Sequence, residues 1–144
     1  MTLPHDLSDA RVLADFAGAW RLARRIEMPE GAVAQFDGQA EWRWQGDDLA
    51  YLERGLLDLG VAKPVQAERR MLWRADLGVW FDDGRYFHHV PARGGAVAHD
   101  CPPDTYSGFY DFSGWPDFAL RWKVTGPRKS YVSTSVYTRG DPAV

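Results

Sequence analysis
The sequence predicts an all-β protein: one antiparallel meander of about nine or ten strands, closed into a barrel, with a short helix in front. Three observations predict it. Apolar and polar residues alternate with a period of two over most of the span from Gly18 to Thr138, which is the signature of strands with one buried face. Turn-forming groups at Gly46-Asp47-Asp48, Asp82-Asp83-Gly84, Gly94-Gly95 and Gly126-Pro127 separate the apolar runs at hairpin spacing. The chain has 144 residues, the length of a single domain that can bury about two-thirds of its surface. Many antiparallel strands in so short a chain best avoid exposed edges by closing into a barrel.

The elements follow in order. Ser8 can cap a one- or two-turn helix over about Asp9 to Phe16, with Asp9 at its positive end. Leu7, Val12 and Phe16 would cover one side. Strands are expected at about 17–27, 33–45, 48–59, 64–75, 78–82, 84–90, 95–101, 104–112, 117–125 and 129–138. In the first, Trp20, Leu22, Arg24 and Ile26 share a face; in the second, Phe36, Ala40, Trp42 and Trp44 do. Leu49, Tyr51, Glu53 and Leu57 form a third row, Ala67, Arg69, Met71 and Trp73 a fourth, and Phe118, Leu120, Trp122 and Val124 a later one. Pro116 lies just before a strand, where its missing N–H does no harm. The whole of 1–144 reads as one domain, with 1–8 and 140–144 as loose tails.

Composition narrows the function classes. Seven Trp, six Tyr and seven Phe exclude disorder over most of the length. Lys and Arg number 17 against 20 Asp and Glu, a net charge of −3. That balance argues against nucleic acid or an anionic membrane held by bulk charge. The apolar stretches fall short of the ~20 residues of a membrane helix, and Met1 to Asp9 lacks the basic and apolar regions of a signal peptide. The single Cys101 excludes a disulfide framework within the chain. A cytoplasmic monomer or homodimer is the expectation, with no cofactor.

Polar residues on inward faces point to a pocket. Arg24 interrupts the row of Trp20, Leu22 and Ile26, and Arg69 interrupts that of Ala67, Met71 and Trp73. A buried cation is costly unless paired. Each arginine therefore either reaches the rim or pairs with Glu53, or it meets an anionic ligand through its planar two-donor fork. If Gly94-Gly95 closes a two-residue hairpin, Arg93 pairs with Ala96, Val90 opposes His99 and His88 opposes Cys101, with Tyr86 beyond on the same face. Two His and one Cys are metal-ligand types, but their spacing matches no metal motif, so they read as the polar wall of a pocket or as plain packing. Tyr106, Tyr110 and Phe112 share a face on one strand, with Gly108 giving space; Tyr131, Ser133, Ser135 and Tyr137 share another. Buried tyrosine hydroxyls need partners, in the core or on a ligand.

Gly18-x-Trp20 after a short helix, opening the first strand of an antiparallel chain, resembles the calycin superfamily of lipocalins and fatty-acid-binding proteins. The resemblance implies a Trp20 packed across the barrel floor beneath a cation, which Arg139 or Lys129 could supply. A longer pattern covers most of the chain: Phe16-x-Gly18-x-Trp20, Glu68-Arg69-Arg70-x-x-Trp73, Phe87-His88, His99-x-Cys101-x-x-Asp104-x-Tyr106, Tyr110-x-Phe112 and Trp122-x-Val124-x-Gly126-Pro127-x-Lys129-x-Tyr131. It resembles the domain-of-unknown-function family 6314, which implies a calycin-like (lipocalin-like) barrel and supplies no activity. Nitrobindin-type haem barrels carry a longer glycine pattern after the Trp and a haem-ligating His near the C-terminus. Here Leu22 and Ala23 stand in that pattern and no His follows His99, which points away from haem.

The sequence is thus read as a barrel that binds a small anionic or polar-aromatic molecule in its interior. Trp20, Arg24, Arg69, His88, His99, Cys101, Tyr106, Tyr110, Trp122 and Tyr131 are the candidate ligand-binding residues. Two other classes stay open. One is a lyase or isomerase using His99 as general base with Tyr106 as acid, since a histidine titrates near neutrality. The other is an interaction module with a filled barrel.

Overall fold
A computed structural model describes residues 10–139. Ten antiparallel strands run in the order β6-β5-β4-β3-β2-β1-β10-β9-β8-β7. They are β1 (Gly18–Glu27), β2 (Val33–Gln45), β3 (Asp48–Asp58), β4 (Val65–Trp73), β5 (Gly78–Phe81), β6 (Tyr86–His89), β7 (Gly95–Cys101), β8 (Asp104–Asp111), β9 (Phe118–Thr125) and β10 (Ser130–Arg139). The first and last strands pair, Trp20 opposite Arg139 and Glu27 opposite Val132, which curls the meander into a nearly closed barrel. Among the described residues no helix is long and apolar enough to cross a membrane.

Two expectations about the chain path are corrected. The helix expected over Asp9–Phe16 is a single 3-10 turn, Leu13–Phe16; Ser8 and Asp9 lie outside the described residues, as do the expected tails. The turn is held by the Asp15 carboxylate accepting from the Val12 N–H at 2.8 Å. It does not begin earlier, because Val12 is extended (φ −120°, ψ 165°) and the Arg11 N–H is given to Ala92 O across the barrel end, and so short a piece does not sustain an α-helix by itself. The second correction is the Gly94-Gly95 hairpin. β6 pairs with β5 and β7 with β8, so the strands flanking those glycines are the two ends of the sheet. The intervening residues are used to cross between edges: Val90 N–H donates to Leu77 O, Gly94 N–H to Pro91 O, and Ala92 O accepts from Arg11 N–H. Pro91 has no N–H to give to a ladder.

The end of the barrel around Phe16 is packed with aromatic rings. Phe16, Trp20, Trp42, Trp73, Phe118 and Tyr137 are all at most 5% exposed; Trp42 and Trp73 meet edge-to-face with centroids 5.2 Å apart, as do Trp20 and Phe118 at 5.3 Å, and Phe118 stacks on Tyr137 at 4.7 Å. We call this end the floor. Trp20 donates its indole N–H to Phe16 O at 2.9 Å. The Arg139 guanidinium lies 3.8 Å from the Trp20 ring centroid and donates to Ala17 O and Asp15 O. Arg139 is thus the cation that covers Trp20; Lys129 lies at the opposite end. Gly18 is required here, since a side chain would combine a positive φ with a contact of 3.0 Å to the Arg139 guanidinium.

Candidate functional site at the mouth of the barrel
Strand direction sorts the interior. β1, β3, β7 and β9 run from the floor, and their far ends, with the starts of β4, β8 and β10, form a mouth. Cross-strand pairs carry the inward face from β1 to β4: Trp20 opposes Ala40, Ala40 opposes Glu53, and Glu53 opposes Arg69.

A polar cluster sits at the boundary between the floor and the mouth. The Glu53 carboxylate accepts two hydrogen bonds from Arg24, at 2.6 and 3.1 Å, one from the Tyr51 hydroxyl at 2.5 Å, and a longer one from Arg69 at 3.5 Å. Arg24 Nε donates to Ser135 Oγ at 2.7 Å. Tyr51 donates to Glu53, so the 2.8 Å contact between the two hydroxyls has Tyr137 donating to Tyr51. Burial by itself would push the Glu53 carboxyl up. The Arg24 hydrogen bond, the charges of Arg69 and Arg24 and the Tyr51 hydrogen bond outweigh it and bring the group down to about 2. Burial also favours the neutral form of Arg24, but its Glu53 partner more than offsets this and keeps it charged.

That pairing leaves Arg69 in surplus. Arg24 and Glu53 neutralise each other, and Arg69 touches the shared carboxylate only at 3.5 Å. Its side chain is 51% exposed against 3% for Glu53. Arg69 therefore brings an inward-facing positive charge into contact with solvent at the mouth.

Opposite this cluster stand the other candidates. His99 faces Tyr106 across the β7–β8 ladder, with ring centroids 5.4 Å apart. Both are half-buried, as are Cys101 and Tyr131. Lys129 Nζ donates to the Tyr106 hydroxyl at 3.2 Å and pairs with Asp104 at 3.6 Å. His88 is 3% exposed, and its Nε2 meets the Tyr110 hydroxyl at 2.7 Å. Burial, then the nearby His99, His89 and Arg69, lower His88 to about 3, so it stays neutral near pH 7. Its Nδ1 is buried without a partner, as are the indole N–H groups of Trp42 and Trp73.

The structure brings Arg24, Arg69, His88, His99, Cys101, Tyr106, Tyr131 and Trp122 onto interior faces. Trp20 belongs to the floor, 1% exposed beneath Arg139, and Tyr110 is buried as the partner of His88. Cys101 opposes Asp104, where His88 was expected. Tyr86 does not share the face of His88: it is 48% exposed and packs on Trp80. The reason is a β-bulge. Val79 pairs with His88 and Trp80 with Tyr86, so Phe87 is an extra residue in β6. Such an insertion re-aims a side chain locally, and here Phe87 and His88, adjacent in sequence, are both buried. Gly108 fits Trp122 in the same region, since a Cβ there would lie 2.7 Å from the indole ring.

Sequence reasoning passed over Phe81 altogether and gave Phe87 and Lys129 no ligand-binding role. The signal for Phe87 was present in Phe87-His88-His89, where alternation breaks. Among the described residues no group of three or more His, Cys, Asp or Glu side chains converges as a metal site would.

Comparison with known proteins gives two findings. The model of a family of unknown function, DUF6314, matches residues 16–139. No curated protein matches the chain. Among solved structures, the S-type phycobiliprotein lyase CPES from Guillardia theta superposes with a TM-score of 0.70 at 7% sequence identity, covering 97% of this chain and 99% of that one. At that identity the likeness is one of fold.

Proposed function
The chain belongs to the DUF6314 family of unknown function, and we propose that it binds a small anionic molecule with an aromatic or polar-aromatic body in the mouth of its barrel. The observation that carries this reading is Arg69. It faces inward, its nearest carboxylate is already satisfied by Arg24, and it stays half exposed among aromatic residues. A planar guanidinium with free donors is suited to a carboxylate or a similar oxyanion. Tyr106, Tyr131 and His99 give the opposite side hydrogen-bonding edges, and Trp122 gives it an apolar face. The protein acts in this reading as a cytoplasmic monomer or homodimer.

The test is thermal stabilisation by a panel of small aromatic carboxylates beside their neutral amides. A ligand that binds only the folded state raises Tm with concentration. The expected result is a rise with one or more carboxylates, a smaller rise with the matched amide, and loss of the difference in Arg69→Met. Equal shifts in the wild type and Arg69→Met, or no shift with any member, contradict the reading.

A second reading is favoured by the His99–Tyr106 pair, which sets a base and an acid on neighbouring strands in a barrel that has a solved structural neighbour named as a lyase. Here the mouth would catalyse a lyase or isomerase step, His99 taking a proton and Tyr106 giving one. His99→Ala separates the two: turnover lost with binding kept is the enzyme, and binding lost with no turnover to lose is the carrier.

A further inference from the structure
Phe87 lies in a stack of flat groups that crosses the interior. Its ring is nearly parallel to Phe81 on one side, 4.5 Å between centroids and 21° between planes, and to Trp122 on the other, 5.1 Å and 20°. The Arg85 guanidinium covers Phe81 at 5.1 Å and continues the stack outward. The edges of the Phe87 ring meet His88 at 4.3 Å and 89°, His99 at 5.1 Å and 86°, and Tyr106 at 6.2 Å and 83°. A planar ring is therefore held between two aromatic faces and edged by three side chains able to hydrogen-bond, while the ring of phenylalanine offers them nothing.

Two further facts bear on this place. Phe87 is the extra residue of the β-bulge, on a strand of four residues, and among the described residues no ladder joins β6 to β7. Little backbone pairing has to break for it to leave. His88 is 3% exposed, and its Nδ1 has no partner beside this ring. A buried nitrogen left unsatisfied is uncommon and asks what would satisfy it.

We propose that Phe87 is a built-in plug that occupies the berth of a planar aromatic ligand between Phe81 and Trp122, with ligand entry displacing it through the β6–β7 seam. This rests on the reading of the mouth as a binding site and deepens it. The flat body of the ligand takes the place of the Phe87 ring, a polar atom on its edge meets His88 Nδ1, and its anionic group reaches toward Arg69. The stack that Phe87 makes is given up to the ligand, so wild-type affinity is reduced by the fraction of molecules in which the plug is closed.

The test is titration with the fluorescent naphthalene sulfonate ANS, a planar and anionic probe, of the wild type, Phe87→Ala, Phe87→Leu and Phe87→Ala/Arg69→Met. Near-UV circular dichroism is recorded on each, because loosely packed states also bind this probe. Phe87→Leu keeps most of the apolar volume and guards against loss of fold in the alanine variant. The expected result is one-to-one binding at least tenfold tighter in Phe87→Ala than in the wild type, an intermediate gain in Phe87→Leu, and loss of the gain when Arg69→Met is added. Unchanged or weaker binding in both folded single variants overturns the plug. If the wild type then still binds in an Arg69-dependent way, the mouth survives that result. A gain in Phe87→Ala that is indifferent to Arg69→Met upholds the plug and counts against the anion anchor. Binding that appears only with lost near-UV signal overturns the plug.

Discussion

Glu53→Gln examines the charge arrangement on which the surplus of Arg69 depends. The substitution keeps the shape of the side chain and an oxygen that can still accept from Arg24, but it removes the negative charge. The Glu53 carboxyl is held at about 2 against an ordinary 4.5, and a tenfold change in proton affinity between the folded and unfolded chain corresponds to about 1.4 kcal/mol. The native pairing of Glu53 thus contributes about 3 kcal/mol of pH-dependent stability. The sign follows from the folded value being the lower one: the contribution is complete above about 4.5 and is lost as pH falls toward 2. Urea unfolding across the range from neutral pH down to the folded value of Glu53 measures it directly. In Glu53→Gln that part of the acid limb should disappear. Near neutral pH the variant should be less stable by about 3 kcal/mol or more, because a buried Arg24 has lost its counter-charge. An unchanged acid limb, or a variant as stable as the wild type near neutral pH, would refute the pairing and with it the argument that Arg69 is free for a ligand.

His88 gives a second acid limb in a higher window. Its folded value is about 3 against 6.5, chiefly through burial, so below 6.5 the unfolded chain takes up a proton that the folded chain excludes and stability falls progressively toward pH 3; urea unfolding of His88→Gln should lack that part of the pH dependence. Trp20→Ala should destabilise by about 3–5 kcal/mol, and Arg139→Ala by about 1–3 kcal/mol through lost cation–π and charged hydrogen-bond contacts, both read by thermal melts. An unchanged Tm in either speaks against the floor as described. Gly108→Ala should destabilise by about 1–3 kcal/mol, since the new methyl would press on Trp122 at 2.7 Å; a shift in near-UV circular dichroism with the melt would place the strain at that ring.

The strands were legible because period-2 alternation is a local property. β2 (Val33–Gln45), β7 (Gly95–Cys101) and the others begin and end within about two residues of the turn chemistry that bounds them. The floor was legible only through the resemblance carried by Gly18-x-Trp20, which implies a cation over the Trp and left Arg139 and Lys129 both open; the structure places Arg139 there. The pairing of Arg24 with Glu53 could be weighed in advance, because a buried cation has few ways to be satisfied. What could not be read was the seam. Gly94-Gly95 is a good hairpin signal, yet the sheet closes through β1 and β10, and that is a long-range choice no window of residues contains. The bulge at Val79/Trp80 was hidden as well. It reverses the face of Tyr86 and puts Phe87 beside His88 in the interior, so a strict count outward from a turn fails at that residue. The N-terminal helix was misjudged because the Arg11 N–H bonds to the distant Ala92 O and Val12 is extended, a long-range contact that a local capping signal does not contain.

A small anionic molecule held by Arg69 in the mouth should travel with the protein. Native mass spectrometry of the protein purified from its own host tests this most directly, comparing the wild type with Arg69→Met prepared the same way. A discrete added mass on the wild type, lost on denaturation and absent or much reduced on Arg69→Met, is expected. A wild-type protein of bare chain mass, or the same added mass undiminished on Arg69→Met, would contradict it.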